Sequence, residues 1–307
     1  MSAGALSAVR TSAPAERGMA GTVRLARACI RFDEVLVLQG TPLLGAVLAL
    51  GTPTAVKALT LALFAAGSCC LVAHVFVLND WAGMNADLKD PNRPRVFAAE
   101  GVPPRTMGWL SVGLLAMAAL VMSPLGVRTL ALALAIAGLS ALYSLHRHPA
   151  KGVPVVGSLL HLAGGVLHFH LGYLLFAAFG WRSLALSAFF ALTFAAGHLT
   201  QEVRDYEADL SNGIRTNAVG FGRKRAFLAG VALFTLADAL LVALAVYALV
   251  PRVLALVAAG VPLHLVWSRQ ALRAGLTFEC VRRLRRRYRW LYGAIGALML
   301  VATVART

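Results

Sequence analysis

Long apolar stretches alternate along this chain with short polar or charged segments, and the pattern predicts helices that cross a membrane. Stretches able to span roughly 30 Å of hydrocarbon run over 35–50, 56–79, 103–122, 127–145, 153–179, 183–203, 226–250, 253–267 and 290–304. Lipid admits only helices and closed barrels, because nothing else satisfies the backbone there, and unbroken apolar runs of this length read as helices. The expected fold is an all-α integral membrane protein, with about nine transmembrane helices in one bundle around a central cavity. Residues 26–307 form a single domain in this reading, preceded by a disordered cytoplasmic tail over 1–25.

Two of the stretches end in acid. The second closes on Asn79-Asp80-Trp81-Ala82-Gly83-Met84-Asn85-Ala86-Asp87, and the sixth on Glu202-Val203-Arg204-Asp205-Tyr206-Glu207-Ala208-Asp209. With Asp90 these clusters hold seven of the 13 acids, and alternation of the spans puts both on the same face of the membrane. Helical spacing sets Asn79, Asp80 and Asp87 toward one side of their helix. It sets His198, Glu202, Asp205 and Asp209 on one stripe of the other, with Glu207 pointing elsewhere. Carboxylates at a bilayer edge are costly unless a cation or ligand offsets them, so two matched clusters point to a shared one.

Composition and charge support the membrane assignment. The chain has 307 residues, 59% of them hydrophobic and 14% charged, with a mean hydropathy of +0.74. Nine alternating spans place 24 of the 29 Lys and Arg on the N-terminal side. That asymmetry predicts a cytoplasmic N-terminus and cytoplasmic acid clusters. The net charge of +16 then belongs to loops that meet anionic lipid, and no nucleic-acid partner is expected. Cys29, Cys69, Cys70 and Cys280 have no metal or disulfide spacing. The Ala/Arg/Leu-rich usage points to a bacterial cell (inner) membrane, and residues 1–25 resemble a transit peptide only faintly.

Facing oxygen ligands without cysteine suit a hard cation such as Mg²⁺. Ions held by two carboxylate clusters would clamp a diphosphate and neutralise charge on the leaving group as a C–O bond ionises. Arg93, Arg95, Lys151, Arg204 and Arg215 lie on the same side and would complete the clamp. An apolar bundle interior offers room for a hydrocarbon tail.

Asn79-Asp80 with Asp87 and Asn92-Arg93-Pro94, then Asp205-Tyr206-Glu207-Ala208-Asp209 with Gly213-Ile214-Arg215-Thr216, resemble the motifs of the UbiA superfamily of intramembrane prenyltransferases. Tyr143-Ser144 and Lys151-Gly152-Val153-Pro154 also look like that family, and the resemblance covers about 25–305. It implies an all-α bundle that transfers a prenyl group from an allylic isoprenyl diphosphate to a hydrophobic or aromatic acceptor with Mg²⁺. It also implies that Asn79, Asp80, Asp87, Glu202, Asp205 and Asp209 ligate metal, that Asp80, Asp87, Asp205 and Asp209 carry catalysis, and that Lys151 and Arg215 touch phosphate. Gly83 departs from the pattern, standing where the family usually has a middle Asp.

Single residues keep two readings. Arg31 falls where some family members meet an acceptor carboxylate, but it is also a boundary arginine. His161 and His168 share a helix face and either line an acceptor cavity or pack. Asp238 is a packing contact or a cavity residue, and Asp33-Glu34 suit the first turn of a helix. A terpene cyclase of the same superfamily, acting on the diphosphate without an acceptor, stays open beside the prenyltransferase. A transporter would need ionisable groups near the bilayer midplane, whereas these acids gather at one edge.

Overall fold

The computed structural model describes residues 27–87, 102–145 and 150–305, with side chains for all of these except 85–87. The expected tail over 1–25 therefore lies outside the described residues. Among those described, the chain is helical and has no strand.

It begins with α1 (Phe32–Leu38) and α2 (Gly40–Ala49), one membrane-length segment broken at Gln39. The buried Gln39 amide donates to the Val35 carbonyl at 3.2 Å. A side chain inserted at such a carbonyl is a recognised cause of helix bending. There follow α3 (Ala55–Asp87), α4 (Pro104–Met122), α5 (Val127–Ser144), α6 (Val156–Tyr173) and α7 (Trp181–Arg204). Two short helices, α8 (Tyr206–Ser211) and α9 (Asn217–Phe221), come next. The chain then forms α10 (Arg223–Val246), a 3-10 stretch (Arg252–Ala259), α11 (Gly260–Arg273) and α12 (Phe278–Val304).

These elements close into a ring. α3 packs along α4 and touches α5, α5 reaches α6, and α6 lies between α2 and α7. α7 packs on α10, α11 meets α12, and α12 returns to both α2 and α7. Small residues permit the tightest crossings, as in membrane helices generally. A methyl at Gly172 would fall 1.8 Å from the Pro42 carbonyl oxygen, and one at Gly165 would fall 2.6 Å from Ala191 Cα. Buried histidines join neighbours across the ring. His74 Nδ1 meets Ser111 Oγ at 3.0 Å, and His170 Nε2 meets Ser183 Oγ at 3.1 Å. Outward positions carry large apolar side chains such as Trp109, Leu120, Val127 and Val246, which water would not favour and lipid would.

Seven segments among the described residues are long and apolar enough to cross a membrane: α1 with α2, α3, α4, α5, α7, α10, and the 3-10 stretch with α11. The expected count of about nine is therefore not established. The other two expected crossings are helical but more polar. α6 carries His161, His168 and His170, and α12 spends its first half on the arginine run before turning apolar beyond Trp290.

Candidate active site

Both acid clusters occupy helix ends. Asn79 and Asp80 lie near the close of α3. α7 runs to Arg204, the backbone turns at Asp205 (φ −89°, ψ 8°), and α8 restarts the helix. The turn keeps the second cluster together, since the Asp209 N–H donates to the Asp205 carbonyl at 2.9 Å. As their spacing implied, His198, Glu202, Asp205 and Asp209 all line one polar pocket of about 20 Å³. Asn79 faces them from α3, with Lys151 and Thr216 contributed by the loops before α6 and α9. Asn79 of the first cluster thus meets the second cluster in one pocket.

Asp80 lies beside this pocket and not in its wall. Its carboxylate is 2% exposed, and Arg31 holds both oxygens: Nε donates to Oδ2 at 2.7 Å and Nη2 donates to Oδ1. Arg31 also covers the ring of Phe76. Arg204 grips Asp205 in the same two-pronged way, at 2.7 and 2.8 Å. Asp80 and Asp205 are thus each met by a guanidinium, the planar fork that suits carboxylates best. Glu207 points away, as its position implied, and pairs with Arg223 at 2.7 Å.

Glu202 Oε1 accepts from Asn217 Nδ2 at 3.1 Å and lies 3.0 Å from His198 Nε2. Its second oxygen, Oε2, and the hydroxyl of Thr216 are buried without hydrogen-bond partners. Native interiors rarely leave such atoms unsatisfied, and these two belong to residues of the pocket wall. His161 and His198 stack face to face, with centroids 3.8 Å apart, and Tyr143 meets both edge-on. His161 therefore reaches the pocket through His198. His168, farther along α6, lies against Phe194 instead. Their shared face does not bring them into one cavity.

Next to the polar pocket, α2, α7, α10 and α12 enclose an apolar groove of about 470 Å³, walled by Phe189, Phe190, Phe194, Phe234, Tyr288 and Tyr292. Arg285 and Arg289 stand at its charged end. Gln201 links the two spaces: it lines the polar pocket, and its Oε1 accepts from Arg285 Nη2 at 3.2 Å. Burial, and after it the neighbouring Arg204, pushes the Arg285 pKa down to about 9, which leaves it cationic at neutral pH. Arg289 pairs with Glu34 of α1. Behind the aromatic wall, Tyr292 donates to the buried Asp238 at 3.2 Å, while the Tyr288 hydroxyl bonds Ser268 at 2.8 Å. Asp238 thus supports the wall from outside the groove.

Of the remaining candidates, Arg215 is exposed on the loop before α9. Arg93, Arg95 and the side chain of Asp87 lie outside the described residues. Sequence reasoning passed over Gln201, Thr216 and Asn217. The available signal was position: Gln201 adjoins Glu202, and Thr216-Asn217 closes the polar loop after the second cluster.

The donor set fits a hard divalent cation such as Mg²⁺: oxygens from Asn79, Glu202, Asp205 and Asp209, with Asp80 adjacent and no thiol among the lining residues. Among the described residues, no group of three or more His, Cys, Asp and Glu could hold a metal by itself. An ion here would therefore need Asn79 and oxygens from a ligand. Mg²⁺ characteristically binds one or two carboxylates together with substrate phosphates.

Comparison with known proteins agrees with this arrangement. The sequence model of the UbiA prenyltransferase family matches residues 40–302. No curated protein sequence matches the chain. Among solved structures, the chain is similar to a UbiA homologue from Archaeoglobus fulgidus bound to GPP and Mg²⁺, at 16% identity and a TM-score of 0.69, covering 92% of this chain and 98% of that one. It is likewise similar to the apo UbiA homologue from Aeropyrum pernix K1, at 21% identity and a TM-score of 0.69, covering 87% and 98%. A digeranylgeranylglyceryl phosphate synthase matches at 14% identity and a TM-score of 0.68, covering 92% and 99%. At these identities the structures speak for the fold, while the family match spans most of the sequence: this chain is a member of the UbiA prenyltransferase family.

Proposed function

We propose that this protein transfers a prenyl group from an allylic isoprenyl diphosphate to an electron-rich aromatic or quinone-precursor ring, within a bacterial inner membrane and with its site on the cytoplasmic side. The observation that carries the reading is the meeting of Asn79 with Glu202, Asp205, Asp209 and Lys151 in one pocket beside an aromatic-walled groove. The A. fulgidus homologue's ligands, GPP and Mg²⁺, are the class of donor and cofactor that such a pocket suits.

Asn79, Asp80, Asp87, Glu202, Asp205 and Asp209 are proposed to hold Mg²⁺ against the diphosphate. Bound there, Mg²⁺ would supply Lewis-acid stabilisation of the departing pyrophosphate. Lys151, Arg204 and Arg215 would orient the phosphate oxygens and stabilise the charge that develops on them, as Arg93 and Arg95 would from the preceding loop. Arg31 holds Asp80, and exchange of that partner for the bound cation would release a guanidinium toward an acceptor's acidic group. The groove would take the hydrocarbon tail and exclude water, which would otherwise quench the allylic cation to an alcohol. His161, stacked on His198 at the pocket, and His168, against Phe194 of the groove wall, would bound the acceptor space from one face of α6.

The decisive experiment supplies purified protein with Mg²⁺ and an allylic diphosphate, with and without an aromatic acceptor. Prenylated acceptor supports the proposal. A cyclic hydrocarbon formed without acceptor would replace transfer by terpene cyclisation, and the absence of any pyrophosphate release across donors would overturn both.

A further inference from the structure

Val155, the residue that leads into α6, adopts φ 70° and ψ −45°. A β-branched residue at positive φ is a genuine outlier and persists only where its surroundings hold it. Its backbone N–H donates to Asn217 Oδ1 at 2.7 Å. The other end of the same amide donates to Ser158 Oγ at 3.2 Å and to Glu202 Oε1 at 3.1 Å. Asn217 is 5% exposed and Glu202 4%. One buried path thus joins α7, α9 and the start of α6.

The loops on either side of this path abut. A methyl at Gly220 would lie 2.9 Å from Pro154 Cγ, and one at Gly152 would lie 4.0 Å from the backbone N of Arg215. Lys151 sits on the turn that runs into Val155, and Arg215 on the loop that runs into Asn217. Glycine at 155 would adopt this conformation unaided, so with valine there the loop depends on Asn217.

We infer that Asn217 and Glu202 are positioning residues: their hydrogen-bonded path holds Val155 in its positive-φ conformation and so fixes Lys151 and Arg215 at one spacing for the diphosphate. Glu202 serves the path through Oε1 and also lines the polar pocket. The inference takes the identity of that ligand from the proposed function, but the path itself is independent of it.

The test compares wild type, Asn217→Ala, and Asn217→Ala combined with Val155→Gly. Asn217→Ala should raise KM for the allylic diphosphate roughly tenfold, the scale of one lost hydrogen bond, with a smaller change in kcat. It should also speed deuterium uptake in the peptide carrying Val155, measured without substrate. Val155→Gly in the same chain should return KM most of the way, which simple loss of packing would not allow. An unchanged KM and unchanged uptake in Asn217→Ala would overturn the inference, as would failure of the double variant to recover. Should Asn217→Ala lose its fold, recovery of fold and donor affinity together in the double variant supports the inference, and no recovery overturns it. If wild type itself binds no allylic diphosphate, the proposed function fails while deuterium uptake still judges the path.

Discussion

Arg31 and Asp80 form a two-pronged ion pair that joins the turn before α1 to the end of α3, and it buries the carboxylate almost completely. Removing the arginine takes both of its hydrogen bonds from a carboxylate that is 2% exposed. Loss of a partner from a fully buried pair costs about 3–5 kcal/mol. Arg31 keeps 30% of its side-chain surface, so the lower figure of roughly 1–3 kcal/mol applies after solvent screening. Arg31→Ala should therefore lower Tm in detergent without Mg²⁺. Adding Mg²⁺ should restore part of the loss, because a ligand that binds the folded state stabilises it. A Tm deficit identical with and without Mg²⁺ would deny Asp80 a place at the cation.

Asp205→Asn and Asp209→Asn should each reduce turnover by about 100-fold or more, the scale seen when one group that stabilises transition-state charge is lost. Both side chains are buried at a helix end and not in the apolar core, so the helical circular dichroism should stay close to wild type. Wild-type kcat/KM in either variant would remove that residue from the site.

The groove predicts selectivity for donor length. A methyl at Gly296 would already approach Leu44 Cδ1 at 3.5 Å, so a phenylalanine there would fill the groove partway along α12. From Arg285 to Leu300 that helix rises about 22 Å. Gly296→Phe should therefore spare short allylic donors and sharply reduce turnover of long ones. Equal losses across a donor-length series, in competition assays, would show that the tail lies elsewhere.

Helix crossings give a stability prediction. At Gly172 a methyl would overlap the Pro42 carbonyl oxygen, and backbone cannot yield as a flexible side chain can. Gly172→Ala should cost upward of about 3 kcal/mol, the top of the usual range for overpacking. At Gly113 nothing lies within 4 Å, so Gly113→Ala should be neutral or mildly stabilising in its helix. Comparable Tm values for the two variants in detergent would refute the α2–α6 contact.

Much of the site was legible in the chain, because helix periodicity is a local property. The stripe of His198, Glu202, Asp205 and Asp209 follows from spacing on one helix, and all four line the pocket. The bend at Asp205 left that stripe intact because α8 resumes the helix at once. Periodicity could not assign Asp80, whose partner lies 49 residues away, or Asn217, whose bond to Val155 spans 62. His161 and His168 show the same limit: a shared face on α6 was correct, but neighbouring helices divide that face between two spaces.

By itself, then, the sequence determined that this is a helical membrane chain with two acid-tipped helices, since long apolar runs have no other stable state in lipid and charge scarcity makes each cluster conspicuous. Tertiary structure decided the rest: which carboxylate meets an arginine, which helices wall the groove, and how the Lys151 and Arg215 loops are held together. Those depend on contacts between residues far apart in sequence, where backbone approach at glycines and the partners available to buried polar atoms set the outcome.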